Sequence, residues 1–105
     1  MDTTVIDIPD QHRYVIESGG EQVGVMEYQL DGATLALLHA ETDPAHSGQG
    51  LAGELTRVVL DEARERGLDV LPLCPYVSAW IRKHPEYTDL VPLAQRPQFG
   101  LDTGA

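Results

Sequence analysis

Leu38-His39-Ala40-Glu41-Thr42-Asp43-Pro44-Ala45-His46-Ser47-Gly48-Gln49-Gly50-Leu51-Ala52-Gly53-Glu54-Leu55 is the stretch where the chain changes its periodicity. Before it, apolar and polar residues follow strand patterns. Asp43-Pro44 then breaks the strand, because proline cannot donate to a ladder. Three glycines follow within six residues. From Leu51 the apolar positions become helical: Leu51, Leu55, Val58, Val59 and Ala63 fall on one stripe. Glu54, Arg57, Asp61, Glu62, Arg64, Glu65 and Arg66 occupy the other face. Glu62 and Arg66 have the i,i+4 spacing of a supporting ion pair. Arg64 and Arg66 suit the negative end of the helix dipole, and Gly67 is a natural residue for the position just past the helix. A long helix is therefore expected from Leu51 to the residues before Gly67.

Upstream, Gly19-Gly20 and Asp31-Gly32 are two-residue hairpin signals. They separate three strand candidates: His12 to Glu17, Glu21 to Leu30 and Ala33 to Glu41. In the second, Val23, Val25 and Glu27 are expected on one face. The third is apolar enough to be buried on both faces. The first half thus predicts an antiparallel three-stranded meander. Residues 1–10 are expected to be a loose leader, residues 11–91 the domain and residues 92–105 a poorly ordered tail. Downstream, Asp69 to Leu73 predicts a short fourth strand ended by Cys74-Pro75. Tyr76 to His84 predicts a short helix stopped by Pro85, with Val77, Trp80 and Ile81 as its apolar stripe. The expected fold is α/β (α+β): a mixed, mostly antiparallel sheet, the long helix on one face and the short C-terminal helix on the other.

The 105 residues suffice for one domain with one modest core. Hydrophobic residues make up 42% of the chain, so a packed core is expected in place of disorder. No apolar run is long enough for a bilayer span, and the acidic start lacks a secretory pattern. The expected location is cytoplasmic. A net charge of −10 disfavours nucleic acid as a partner. It also means that an anionic ligand must be held by local devices such as backbone N–H groups. One cysteine excludes an internal disulfide. No His/Asp/Glu set has the spacing of a metal motif, so no metal is expected.

The glycine turn admits three readings. Glycines at 48, 50 and 53 let backbone approach a ligand closely, and the helix start adds unpaired N–H groups and the positive end of its dipole. Such a turn suits a pyrophosphate. The same glycines also fit a strand-to-helix turn with no ligand. Gly48-Gln49-Gly50-Leu51-Ala52-Gly53 is formally a dinucleotide fingerprint, yet that motif requires a preceding parallel strand and an acid at the end of the next one. Here a meander precedes the turn, and the next strand carries its acid, Asp69, at the start.

A meander, then Ser47-Gly48-Gln49-Gly50-Leu51-Ala52 opening a long helix, then a strand, resembles the GNAT superfamily of N-acetyltransferases. Leu38-His39-Ala40-Glu41, Ala63-Arg64-Glu65-Arg66-Gly67-Leu68, Pro72-Leu73-Cys74-Pro75-Tyr76-Val77 and Ile81-Arg82-Lys83-His84-Pro85-Glu86-Tyr87 resemble its minimal, YjdJ-type branch. The likeness covers about residues 12–91. It implies acetyl-CoA as co-substrate and transfer of the acetyl group to an amine acceptor, a small amine or a protein lysine or N-terminus. It implies that Ser47, Gly48, Gln49, Gly50, Leu51, Ala52 and Gly53 bind the cofactor, and that the strands before and after the long helix splay to admit the thioester. The motif's first position usually holds Arg or Gln. Ser47 stands there instead, which removes a charged side chain from the pyrophosphate.

The resemblance also places Cys74 at the active site, as an acyl carrier or beside the thioester; packing is the alternative for a lone thiol. His39 and Glu41, two apart on a strand, share a face and form a candidate base with its orienter, or simply finish the strand at the surface. His84 is a candidate dipole-stabilised cap. His12 and His46 read as surface residues and Trp80 as core. A rival to turnover is a CoA-binding sensor or interaction module, favoured by a length that leaves no room for the N-terminal helices of larger relatives.

Overall fold

In the computed structural model, residues 3–46 and 50–101 are described. Five strands form one sheet in the order β1-β2-β3-β4-β5. They are β1 (Thr3–Ile8), β2 (Arg13–Ser18), β3 (Glu21–Asp31), β4 (Thr34–Thr42) and β5 (Asp69–Pro72), with α1 (Leu51–Glu65) between β4 and β5 and α2 (Pro75–Lys83) after β5. The first four strands are antiparallel neighbours, and β5 runs parallel to β4. The mixed, mostly antiparallel sheet with one long and one short helix matches the expectation.

Both hairpins form, the first at Gly19-Gly20 as expected and the second one residue later than expected, at Gly32-Ala33, because Asp31 stays in β3 and pairs with Thr34. Gly19, Gly20 and Gly32 all have positive φ, at 59°, 84° and 60°, as two-residue turns between twisted strands require. Helix α1 ends as its sequence dictates. Gly67 has φ 69°, its N–H donates to Arg64, and the Leu68 N–H donates to Ala63. Those two bonds are a Schellman closure.

Several expectations are corrected. Thr3–Ile8 is a strand and not part of a loose leader. Val5 lies opposite Ile16, and the Tyr28 hydroxyl donates to Asp7 at 2.7 Å. Edge pairing and one half-buried valine hold a segment whose own polarity is weakly strand-like. Val23 does not share a face with Val25 and Glu27. The register shifts between Ile16 and Glu17, so β3 carries an extra residue at Val23, which turns into the core. Strand β4 is buried on one face only: Leu35 and Leu37 are fully buried, whereas Leu38 is 40% exposed. The tail region holds a 3-10 segment, Leu93–Phe99, ended by Gly100 at φ 70°. Arg82 donates to the Phe99 carbonyl at 2.7 Å, and Leu101 is buried.

Both helices lie on the same side of the sheet, against expectation. One core cluster joins Tyr14, Ile16, Met26 and Leu37 of the sheet to Leu55 and Val59 of α1 and Val77 and Ile81 of α2. Trp80 Nε1 lies 3.5 Å from where a Cβ on Gly53 would stand. The 3-10 segment Pro85–Leu90 ties the helices together: Tyr87 donates to Asp61 at 2.7 Å, and Arg64 holds Asp89 through two bonds of 2.7 and 3.0 Å. The opposite sheet face, running through Ile6, Val15, Val25 and Glu41, carries neither helix.

Candidate active site

Strand β4 pairs with β5 only from Thr34 to Leu37. Beyond Leu37 the two strands part. The last bond across the fork runs from the Cys74 N–H to the Leu37 carbonyl, at 2.8 Å. Two local causes open the gap. Leu38 is an extra residue in β4, since Tyr28 pairs with Leu37 while Glu27 pairs with His39; the bulge bends β4 at the vertex. On the other side Pro75 starts α2 immediately after Cys74, so β5 cannot continue.

Cys74 thus stands at the vertex. It is the residue preceding α2, it is 3% exposed, and its thiol caps no helix N–H. His39 and Glu41 do share a face: Nε2 of His39 lies 3.3 Å from Oε1 of Glu41, with side chains 53% and 70% exposed. Their ladder partners Glu27 and Val25 put the pair on the uncovered sheet face. The structure therefore brings Cys74 to the vertex and sets His39–Glu41 on the side of β4 remote from the helices.

The cofactor candidates divide. Ser47, Gly48 and Gln49 lie outside the described residues. Gly50 precedes α1 with φ 73°, a left-handed conformation that glycine adopts without strain. Leu51 is buried and anchors the helix start. No described side chain caps this end of α1, where the helix has unpaired N–H groups and the positive end of its dipole. Gly53 is on the third residue of the helix, turned toward α2. A Cβ there would sit 3.5 Å from Trp80 Nε1 and 3.7 Å from the Tyr76 hydroxyl.

That geometry brings in Tyr76, expected from the sequence at a helix start and within the family-like block of residues 72–77 but not as a site residue. Its hydroxyl lies over the first turn of α1, next to the fork. Burial, and then the neighbouring Cys74, push its pKa up, so it remains a proton donor at neutral pH. Its one signal in the sequence was its place two residues after Cys74. His84 caps α2, as the sequence suggests: it stacks on Trp80 at 3.8 Å, and Nδ1 lies 2.8 Å from the Trp80 carbonyl. At the other end of β4 an open cleft of about 550 Å³ lies between residues 22–25 and 41–44.

A meander, a parallel strand that forks away from it and a glycine-led helix beside the fork define a domain of the N-acetyltransferase fold class. The sequence profile of GCN5-related N-acetyl-transferases matches residues 13–90, and the chain belongs to that family. A GCN5-like protein from Staphylococcus aureus, solved by NMR, superposes with a TM-score of 0.66 at 19% identity, over 85% of this chain and 87% of that one. The ribosomal-protein-S18-alanine N-acetyltransferase of Escherichia coli superposes with a TM-score of 0.53 at 22% identity. That match takes in 55% of this chain but only 38% of the enzyme's. At these identities the likeness is one of fold. No curated protein matches the sequence. No helix among the described residues is long and apolar enough to cross a membrane.

Proposed function

We propose that this chain transfers the acetyl group of acetyl-CoA to an amine, and that it belongs to the minimal YjdJ-type branch of its family. The observation that carries the reading is the fork. It opens at Leu37 and Cys74, beside an α1 N-terminus that no described side chain caps. In this reading the Ser47–Gly53 turn holds the pyrophosphate on backbone N–H groups, and the thioester enters the fork from the helix side. The acceptor comes from the uncovered face. There Glu17, Glu27 and Glu41 lie on the same side as His39, against one cation, Arg13, 3.8 Å from Glu27, a net acidic setting that favours a cationic acceptor.

The chemistry then balances. The acceptor ammonium first loses a proton to solvent; the neutral amine nitrogen then attacks the thioester carbonyl, and the C–S bond breaks. The proton from the amine passes to His39, which Glu41 orients and steadies once charged. The departing thiolate takes a proton from the Tyr76 hydroxyl. A two-step variant has the Cys74 thiolate attack first, forming an acetyl-cysteine that the amine then cleaves. The thiol's burial favours the direct route, since a carrier thiol must be reached along the fork.

Melting in acetyl-CoA, followed by intact mass with a Cys74→Ala control, tests the reading. Ligand at about one hundred times its dissociation constant stabilises by ~2.7 kcal/mol, a rise of about 10 °C or more in Tm. No rise at any concentration refutes cofactor binding. A rise with no acetyl adduct on Cys74 removes the two-step variant and leaves direct transfer. A rise with no acetylated product from any of a panel of amines refutes turnover and leaves a CoA-binding module.

A further inference from the structure

We propose that Glu21, Asp43 and His46 form a binding site for a divalent transition metal of the zinc class, at the point where the chain leaves β4 for the glycine turn. One ligand atom from each residue lies within 4.8 Å of the other two. They come from separate segments. Glu21 opens β3 directly after the Gly19-Gly20 turn, while Asp43 and His46 flank the 3-10 turn Pro44–His46. In sequence Glu21 is far from the other two, so no linear motif reveals the set.

Two of the ligands are held in place. The Asp43 N–H donates to the Val23 carbonyl at 2.8 Å, and its Oδ1 accepts from the Ala45 N–H at 2.9 Å. The His46 N–H donates to the Asp43 carbonyl at 2.9 Å. These bonds leave Asp43 Oδ2 pointing at His46 Nδ1, 3.5 Å away. That distance is long for a hydrogen bond. Nδ1 is nevertheless shut off from solvent and has no hydrogen-bond partner among the described residues, which is costly for a buried polar atom. Two ligands at the usual ~2.0–2.1 Å from a tetrahedral zinc stand about 3.4 Å apart. The Asp43–His46 gap is therefore the edge of such a tetrahedron, and a metal would satisfy the orphaned nitrogen.

The rest of the chemistry agrees. Glu21 is exposed and free to swing in as the third ligand, with water as the fourth. Two carboxylates neutralise a dication, and a mixed nitrogen and oxygen set suits zinc, where calcium and magnesium prefer oxygen alone. Asp43 also lines the open cleft at the end of β4, so the metal would sit in reach of solvent. The site is independent of the acetyl-transfer reading, because it uses none of the residues assigned to that chemistry.

The test uses the full, untagged chain. Zinc is titrated by calorimetry, and cobalt by its visible absorption, against the parent, Asp43→Asn, His46→Ala and His39→Ala. Asp43→Asn keeps the acceptor for the Ala45 N–H while removing the charge, and circular dichroism checks that each variant is folded. The expected result is one equivalent bound, weakened about tenfold or more by His46→Ala and by Asp43→Asn, and unchanged by His39→Ala. The absence of saturable binding up to ~1 mM zinc overturns the proposal and leaves Asp43 and His46 as an ordinary ion pair. Binding lost with His39→Ala but kept with His46→Ala overturns it equally.

Discussion

Replacing Gly53 by alanine separates what the fold needs from what the cofactor needs. In the apo protein the new methyl group would stand 3.5 Å from Trp80 Nε1 and 3.7 Å from the Tyr76 hydroxyl, ordinary van der Waals distances. Gly53 lies in the first turn of α1, where alanine is favoured over glycine by roughly 0.5–1 kcal/mol. The fold alone therefore predicts a gain of that size. For a domain of this length 1 kcal/mol moves Tm by about 4–8 °C, so Gly53→Ala should melt some 2–8 °C higher, by the same conversion. The cofactor reading predicts the opposite sign for binding. A methyl group narrowing the gap between α1 and Tyr76 crowds whatever passes there, and overpacking costs about 1–3 kcal/mol. Acetyl-CoA should bind about fivefold more weakly or worse. Thermal melts without ligand and a calorimetric titration with acetyl-CoA read the two effects separately. A lower Tm would show that glycine is there for packing. A higher Tm with unchanged affinity would remove Gly53 from the cofactor cradle.

Gly24→Ala should behave differently. Its Cβ would meet Ile16 Cγ2 at 2.8 Å, with Glu41 O and Thr42 Cγ2 each at 3.2 Å, in the middle of the sheet. A loss of about 1–3 kcal/mol follows, read as a Tm lower by about 4 °C or more; an unchanged Tm would contradict the packing described. The protein should also weaken in alkali. Burial, then the charges of Glu62 and Asp7, push the Tyr14 hydroxyl up to about 12, and Tyr28 is raised as well, by burial and by its bond to Asp7. The unfolded chain releases these protons near pH 10 while the folded one keeps them, so stability falls as pH climbs from about 10 to 12. Tyr14 accounts for roughly 2–3 kcal/mol of that loss. Urea midpoints across this range, compared with those of Tyr14→Phe, should show the variant losing less.

Local rules carried much of the fold into view. The helical stripe, the glycine after it and the two hairpins follow from contacts within a few residues and were legible, although Leu60 and Thr56 face the core where Val58 was expected and the second turn sits one residue later. Features set by distant partners were not. Val5 is a strand residue because Ile16 stands beside it. Within the tail region, residues 93–101 pack on the domain through the bond of Arg82 to the Phe99 carbonyl and the burial of Leu101. Both helices share one side because the apolar stripes of α1 and α2 close on one core with Met26 and Leu37 of the sheet. The site divides along the same line. His39 and Glu41 share a face by strand periodicity alone. The bulge at Leu38 and the place of Tyr76 depend on how β4, α1 and α2 meet, and no periodicity encodes that.

The sheet order has a further consequence, for how the molecule assembles. Every strand lies next to its neighbour in sequence, so β1 to β4 can zip together through short turns. Only the pairing of β5 with β4 must wait for the long excursion through α1, and such non-local closure is slow. The topology thus predicts that the pairing which frames the fork forms after the meander. Four paired residues hold β5 in the sheet, so its amides should exchange with solvent sooner than those of β2 and β3. The gap can then loosen as a unit while the meander stays closed.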